Sequence, residues 1–267
     1  MSTDRFSRQS FLGRDSDRRI AECRVGLAGL GGGGSHVVQQ LAHVGFQQYV
    51  LYDGDHVEES NLNRLVGATN RDALDKTPKL DVARARILGL QPRADIAMFS
   101  CRWQDDPEPL RECQIVIGCV DSYSGRRELE VACRRYLAHY IDIGMDVHGD
   151  DPPVIGGQIV LSSPGGPCLR CLGFLTDEKL EREASRYGSA GPRPQVVWAN
   201  GVLASTAVGL AVELVTNWTR RTKTYAYLRY DGNRGTVSDS VTLRNFSPNS
   251  CTHYPNSELG EPILAVL

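Results

Sequence analysis

Apolar residues in the first half of the chain gather in short unbroken runs separated by helical spacing. Residues 24–35 read RVGLAGLGGGGS: an apolar run, a glycine cluster, and then the start of a helical pattern through Val38 and Leu41. A second run, Tyr49 to Tyr52, ends in the acidic positions Asp53, Asp55, Glu58 and Glu59, which is the spacing of a β-α-β unit. Lys79 to Leu90 repeat apolar residues at helical intervals, and Gln114 to Cys119 (QIVIGC) form a continuous apolar run leading straight into Asp121. Arg126 to Leu137 read as helix and Tyr140 to Ile143 as the next strand. Runs apolar on both sides, alternating with helices, predict a parallel sheet covered on both faces.

After Asp142 the period changes. Val154 to Leu161 and Tyr225 to Tyr230 alternate and are separated by turn residues, which predicts antiparallel strands. Between them lie a Cys-x-x-Cys pair at Cys168 and Cys171, a charged stretch from Thr176 to Arg186, a Gly/Pro-rich stretch, and the apolar run Val196 to Trp218. That run is long enough to span a bilayer, but Asn200, Glu213 and Asn217 interrupt it and Pro192 and Pro194 precede it, so a buried core helix is expected. His148, Asp150 and Asp151 form a polar cluster read as the turn GDDPP before the next strand.

With 267 residues, 41% apolar and 23% charged, the chain has room for one large α/β core, and collagen-like, disordered and coiled-coil classes are excluded. A net charge of −2 leaves no electrostatic footprint for nucleic acid or an anionic membrane, so an anionic ligand must be met by local groups. The N-terminus breaks any apolar stretch with Arg and Asp, which gives the expectation of a cytoplasmic protein. Eight cysteines in such a compartment direct attention to spacing rather than to disulfides.

The glycine cluster fits GxGxxG through Gly29, Gly31 and Gly34, with Gly32 inside it, and offers backbone N–H groups and a helix N-terminus to an anion. By itself the motif says nucleotide without saying which. Asp53, at the end of the second strand, suits a ribose in either NAD or ATP. Two cations further along the chain suit a triphosphate, although each alone reads equally as a solvated surface charge: Arg64 lies with Asn61 just beyond the acidic strand end, and Lys79 opens a helix. Asp121 sits at the carboxyl edge of the expected sheet, where a carboxylate can hold Mg²⁺ against phosphate oxygens or can cap the helix that starts near Ser124.

Together, FSRQ, GLGGGG, YDGDHVEESNLNR, DKTPK, GCVDSYSGRR and GGQIVLSSPGGPCLRCL resemble the ThiF/MoeB/HesA family, related to the adenylation domains of ubiquitin-activating enzymes. The resemblance covers most of the chain. It implies a Rossmann-like, mostly parallel sheet continued by antiparallel strands, within one domain over 1–267: an arm over 1–23, a nucleotide-binding half over 24–145 and a C-terminal half over 146–267. It implies a magnesium- and ATP-dependent adenylyltransferase that activates the C-terminal carboxylate of a ubiquitin-like or sulfur-carrier protein or peptide. In that scheme Asp53, beside Asp55, holds the ribose; Asn61, Arg64 and Lys79 hold phosphates; and Asp121 binds Mg²⁺. Arg8 corresponds to an arginine that enters the neighbouring subunit's ATP site, which implies a homodimer. The rival readings are a silent nucleotide-binding scaffold and an NAD-dependent oxidoreductase.

The chain departs from the family pattern twice. Members with zinc carry two Cys-x-x-Cys pairs; here Cys168 and Cys171 form one, while Cys251 is followed by His253, with Tyr254 where a fourth cysteine would stand. Either a Cys₃His zinc site survives, or the cysteines are buried and free. Cys23, Cys101, Cys113, Cys119 and Cys133 lie in core-like or helical contexts. The segment 173–195, where thioester-forming members place a cysteine, has none, so adenylation without a thioester on this chain is expected. The charged stretch 176–186 reads equally as a lid or as a surface helix, and His36, His43 and His56 as helix-face or loop residues.

Overall fold

In the computed structural model the chain is described at residues 4–149, 151–185, 194–221, 224–244, 246, 251–254 and 259–260. A 3₁₀ segment, Asp4–Leu12, leads into α1 (Ser16–Glu22), then β1 (Arg24–Ala28), α2 (Gly32–Val44) and β2 (Gln48–Tyr52). Next come α3 (Asn70–Asp75), α4 (Lys79–Leu90), β3 (Asp95–Phe99), β4 (Ile115–Gly118), α5 (Tyr123–Arg135) and β5 (His139–His148). The remainder is β6 (Val154–Ser162), α6 (Asp177–Ser185), α7 (Val197–Thr216), β7 (Tyr225–Asp231) and β8 (Thr236–Asp239).

The eight strands form one sheet in the order β3-β2-β1-β4-β5-β6-β7-β8. From β3 to β5 all neighbours are parallel, and β6, β7 and β8 add antiparallel pairs. The expected change of period therefore marks a real change of pairing. Chain order reverses direction between β1 and β4, and in open α/β sheets the crevice beyond the carboxyl ends at that switch point receives the ligand.

The four parallel strands at the centre are buried on both faces, which explains their unbroken apolar runs. One core lies on the face covered by α2 and α7, and a second lies on the opposite face, where α5 and the loop through Leu169, Leu172 and Phe174 pack. Helix α7 is 20 residues long and apolar enough to cross a membrane, and 67% of its most apolar window is buried inside this fold against α2, β5 and β6. Its twelve buried positions include Asn200 and Glu213, the polar residues that argued for a core helix.

Three local details differ from the sequence expectation. Helix α5 begins at Tyr123 rather than Arg126, because Ser122 is its N-cap and accepts from the Gly125 N–H at 3.0 Å. Strand β5 continues past Ile143 to His148, since its second half pairs with β6. Strands β3 and β8 lie outside the sequence expectation: β3 is the short apolar run DIAMF at one edge of the sheet, half-buried at Ile96, Ala97 and Phe99, and every residue of β8 is exposed. Asp150 lies outside the described residues.

Candidate active site

A cavity of about 880 Å³ opens at the switch point. Its walls contain Gly29, Gly31 and Gly32, Asp53 and Asp55, Asn61, Arg64, Lys79 and Asp121, so segments spread over 93 residues of sequence converge on one space. Gly34 stands behind the wall. Of the residues predicted for the nucleotide site, Arg8 also does not line the cavity of its own chain: it is exposed on the N-terminal 3₁₀ segment.

The glycine loop is shaped by close approach. Gly29 has φ +93°, in the left-handed region, and a Cβ on Gly34 would lie 2.0 Å from the Gly29 carbonyl oxygen. A Cβ at Gly31 would meet nothing within 4 Å, because that position faces open space. Helix α2 starts there without a side-chain cap, leaving its first N–H groups for an anion. On the other side Asn200, in the first turn of α7, packs so closely that a Cβ on Gly32 would lie 2.5 Å from its amide nitrogen.

Asp53 is fixed by two backbone donors: Leu30 N–H to Oδ2 at 2.7 Å and Asp55 N–H to Oδ1 at 2.8 Å. Burial nevertheless holds its pKa above the usual carboxylate value, against the opposing pull of the Leu30 N–H, Lys79 and the Asp55 N–H. Lys79 is nearly buried, and its Nζ reaches Asp55 Oδ2 at 2.7 Å, while its backbone N–H donates to the Asp55 carbonyl at 3.0 Å. Arg64 Nη1 donates to the Ser60 carbonyl and to Asn63 Oδ1 at 2.9 Å. Asn61 is buried, and its Oδ1 accepts from the Glu58 N–H at 3.2 Å, so it also builds the turn that presents Arg64. Asp121 is exposed at the carboxyl end of β4, next to the Ser122 cap.

A second layer was invisible in the sequence. Arg126 donates from Nε and Nη2 to the Val120 carbonyl at 3.1 and 2.7 Å, and from Nη1 to the fully buried Asp142 at 3.1 Å. Tyr140 adds a hydroxyl donor to Asp142 at 3.0 Å. Arg126 thereby braces the residue before Asp121 from inside the cavity wall. Burial raises the Asp142 pKa, and Arg126 and Tyr140 oppose that rise.

Among the cysteines, Cys23 and Cys113 are buried and pushed up to about 12, and burial pushes Cys133 up as well, as inert core thiols. Cys101 and Cys119 depart from the core-only expectation: both are half-buried and line the cavity. The remaining group is compact. Cys168, Cys171, Cys251 and His253 bring their ligand atoms within 4.8 Å of one another. Sulfur–sulfur distances are 3.5 and 3.6 Å, and the His253 Nδ1 lies 3.5 and 3.3 Å from Cys168 and Cys171. A tetrahedron with ordinary zinc bond lengths has S–S and S–N edges of about 3.8 and 3.5 Å, so the donor set fits zinc in both chemistry and spacing. The loop is anchored to α5 by Glu130, which accepts from the Leu169 N–H at 2.9 Å and from Ser162, and by Arg134, which donates to Ser162 Oγ and the Gly166 carbonyl at 2.8 and 3.0 Å.

Comparison with known proteins gives the chain a family. The ThiF family model matches residues 5–253. The chain is 33% identical over 174 residues to the SAMP-activating enzyme E1 of Haloferax volcanii, covering 63% of this chain and 61% of that one. It is 29% identical over 197 residues to the sulfur carrier protein ThiS adenylyltransferase of Escherichia coli (70% and 74% covered). It is also 31% identical over 181 residues to the molybdopterin-synthase adenylyltransferase of Salmonella typhimurium (65% and 69%). Among solved structures, E. coli MccB with ATP superposes with a TM-score of 0.73 at 18% identity, over 94% of this chain and 75% of that one. The matched region thus spans less than two thirds of the first relative's length. This chain belongs to the ThiF family.

Proposed function

We propose that this chain is an ATP-dependent adenylyltransferase that activates the C-terminal carboxylate of a ubiquitin-like or sulfur-carrier protein, or of a peptide. The observation that carries the reading is the convergence of the glycine loop, Asp53, Arg64, Lys79 and Asp121 on one cavity at the switch point. An NAD site needs the glycines and the ribose carboxylate but not two further cations and a facing carboxylate.

In the proposed reaction, the Asp53 carboxylate accepts from the ribose hydroxyls, and the loop N–H groups, Arg64 and Lys79 hold the phosphates. A carboxylate oxygen of the incoming chain attacks the α-phosphorus. The α–β bridging P–O bond breaks, and its electron pair leaves with pyrophosphate, giving an acyl-adenylate. The carboxylate is already a nucleophile, so the step needs alignment and charge stabilisation rather than a general base. Asp121, a hard oxygen donor on the cavity wall, is the residue that would hold Mg²⁺, which when bound neutralises phosphate charge.

With no cysteine in 173–195, the adenylate passes to a nucleophile on another molecule. The four-residue cluster is assigned to a structural zinc, and exposed Arg8 to the site of a second copy in a homodimer.

Calorimetric titration with ATP and with NAD, with and without Mg²⁺, tests the nucleotide site in the wild type and in Asp121→Ala. The proposal requires magnesium-dependent ATP binding that the variant loses. ATP binding indifferent to both Mg²⁺ and Asp121 would mark a silent scaffold, and NAD binding alone would overturn the reading.

A further inference from the structure

The start of α5 forms the corner that carries Asp121, and a distant segment holds it. Glu183, on α6 and 60 residues along the chain from Tyr123, accepts from the Tyr123 N–H at 2.7 Å with one carboxylate oxygen. Its other oxygen accepts from the Ser124 N–H at 2.9 Å. With Ser122 Oγ on the Gly125 N–H, the first three N–H groups of α5 all have acceptors. Lys179 docks the same helix one turn earlier: its Nζ donates to the Phe174 carbonyl and lies 4.9 and 5.4 Å from the Phe174 and Tyr123 ring centroids. Behind the corner, Arg126 holds the Val120 carbonyl. The two residues between, Asp121 and Ser122, both line the cavity.

An aspartate just before a helix is drawn to that helix's N–H groups, which carry partial positive charge. Glu183 occupies them instead. We infer that Glu183 is a positioning residue: by capping α5 from α6 it keeps Asp121 out of the capping role and directed to the cavity, so that docking of α6 and metal affinity are coupled. This rests on the reading of Asp121 as the metal-binding carboxylate. In consequence, whatever lifts α6 from α5 lets the vacated N–H groups compete with the metal for Asp121.

Two measurements on the full chain test it, using Glu183→Ala and Glu183→Gln; the carboxamide keeps one acceptor without the charge. In ligand-free protein, hydrogen exchange at the Tyr123 and Ser124 amides rises in Glu183→Ala and less in Glu183→Gln. In calorimetry, the Mg²⁺ concentration that half-saturates magnesium-dependent ATP binding rises about three- to tenfold in Glu183→Ala, the change expected for one lost helix-capping interaction, while metal-free ATP binding is unchanged. Faster amide exchange with an unaltered Mg²⁺ requirement would make Glu183 a helix cap and nothing more, and would overturn the inference. Failure of the underlying reading shows separately, as a wild type without magnesium-dependent ATP binding.

Discussion

Replacing Asp142 by Asn tests whether the braced cavity wall depends on a charge pair or merely on shape. The Asp142 side chain is fully buried, Arg126 is 9% exposed, and the pair is 3.1 Å apart. Removing one partner of such a pair costs about 3–5 kcal/mol, because the remaining charge is left buried and uncompensated. Asn can still accept from Tyr140, and Arg126 keeps its two bonds to the Val120 carbonyl, so the lower end, about 3 kcal/mol, is expected. At roughly 2–4 °C per kcal/mol for a chain of this size, the thermal midpoint falls by about 10 °C. Denaturant and thermal unfolding of Asp142→Asn, Arg126→Met and the double variant measure it as a cycle. Adding Arg126→Met to Asp142→Asn should cost much less than Arg126→Met alone, since nothing buried is then left charged. A single-variant loss below about 1 kcal/mol, or strict additivity, would show that the wall rests on shape and not on the charge pair.

Three further outcomes are expected. Purified protein carries one zinc per chain by metal analysis, and Cys171→Ser loses it together with a large share of thermal stability; metal-free protein of unchanged stability would count against the site. Gly31→Ala folds with a loss of only about 1 kcal/mol, the cost of Ala at this N-cap, because its Cβ meets nothing within 4 Å, yet it weakens ATP binding by roughly tenfold or more by intruding where phosphate approaches. ATP affinity falls as pH drops through the raised pKa of Asp53, because the ribose is held by the ionised form. The same raised pKa means that the Asp53 contribution to folding is present below the ordinary carboxylate range and lost as pH rises through the native value. In Asp53→Asn the affinity is weaker and this pH dependence is gone, and a retained acid limb would assign it to another group.

The parallel half of the fold was legible because central strands buried on both faces leave continuous apolar runs, as at Tyr49–Tyr52 and 114–119. Strand β8 was not, since an exposed edge strand needs no apolar face, and the five residues of β3 are too short an apolar run to tell strand from helix by pattern. That Gly29, Asp53 and Asp121 line one cavity was readable because each follows an apolar run and so falls beyond the carboxyl end of a parallel strand, where the switch point opens. Arg126 with Asp142, and Glu183 with the α5 N-terminus, left no signal, because each pair is joined only by tertiary packing over 16 and 60 residues of sequence. Asp121 shows the limit most clearly: its position suited a helix cap as well as a metal, and Ser122 and Glu183 fill the capping role in the structure.

Adenylation itself is tested most directly by exchange of labelled pyrophosphate into ATP, measured with small proteins and peptides that end in a free carboxylate and with the same chains amidated at the C-terminus. Magnesium-dependent exchange that requires the free carboxylate and disappears in Asp121→Ala is the expected result. Exchange that proceeds equally with amidated chains, or that survives in Asp121→Ala, would contradict the proposed activity.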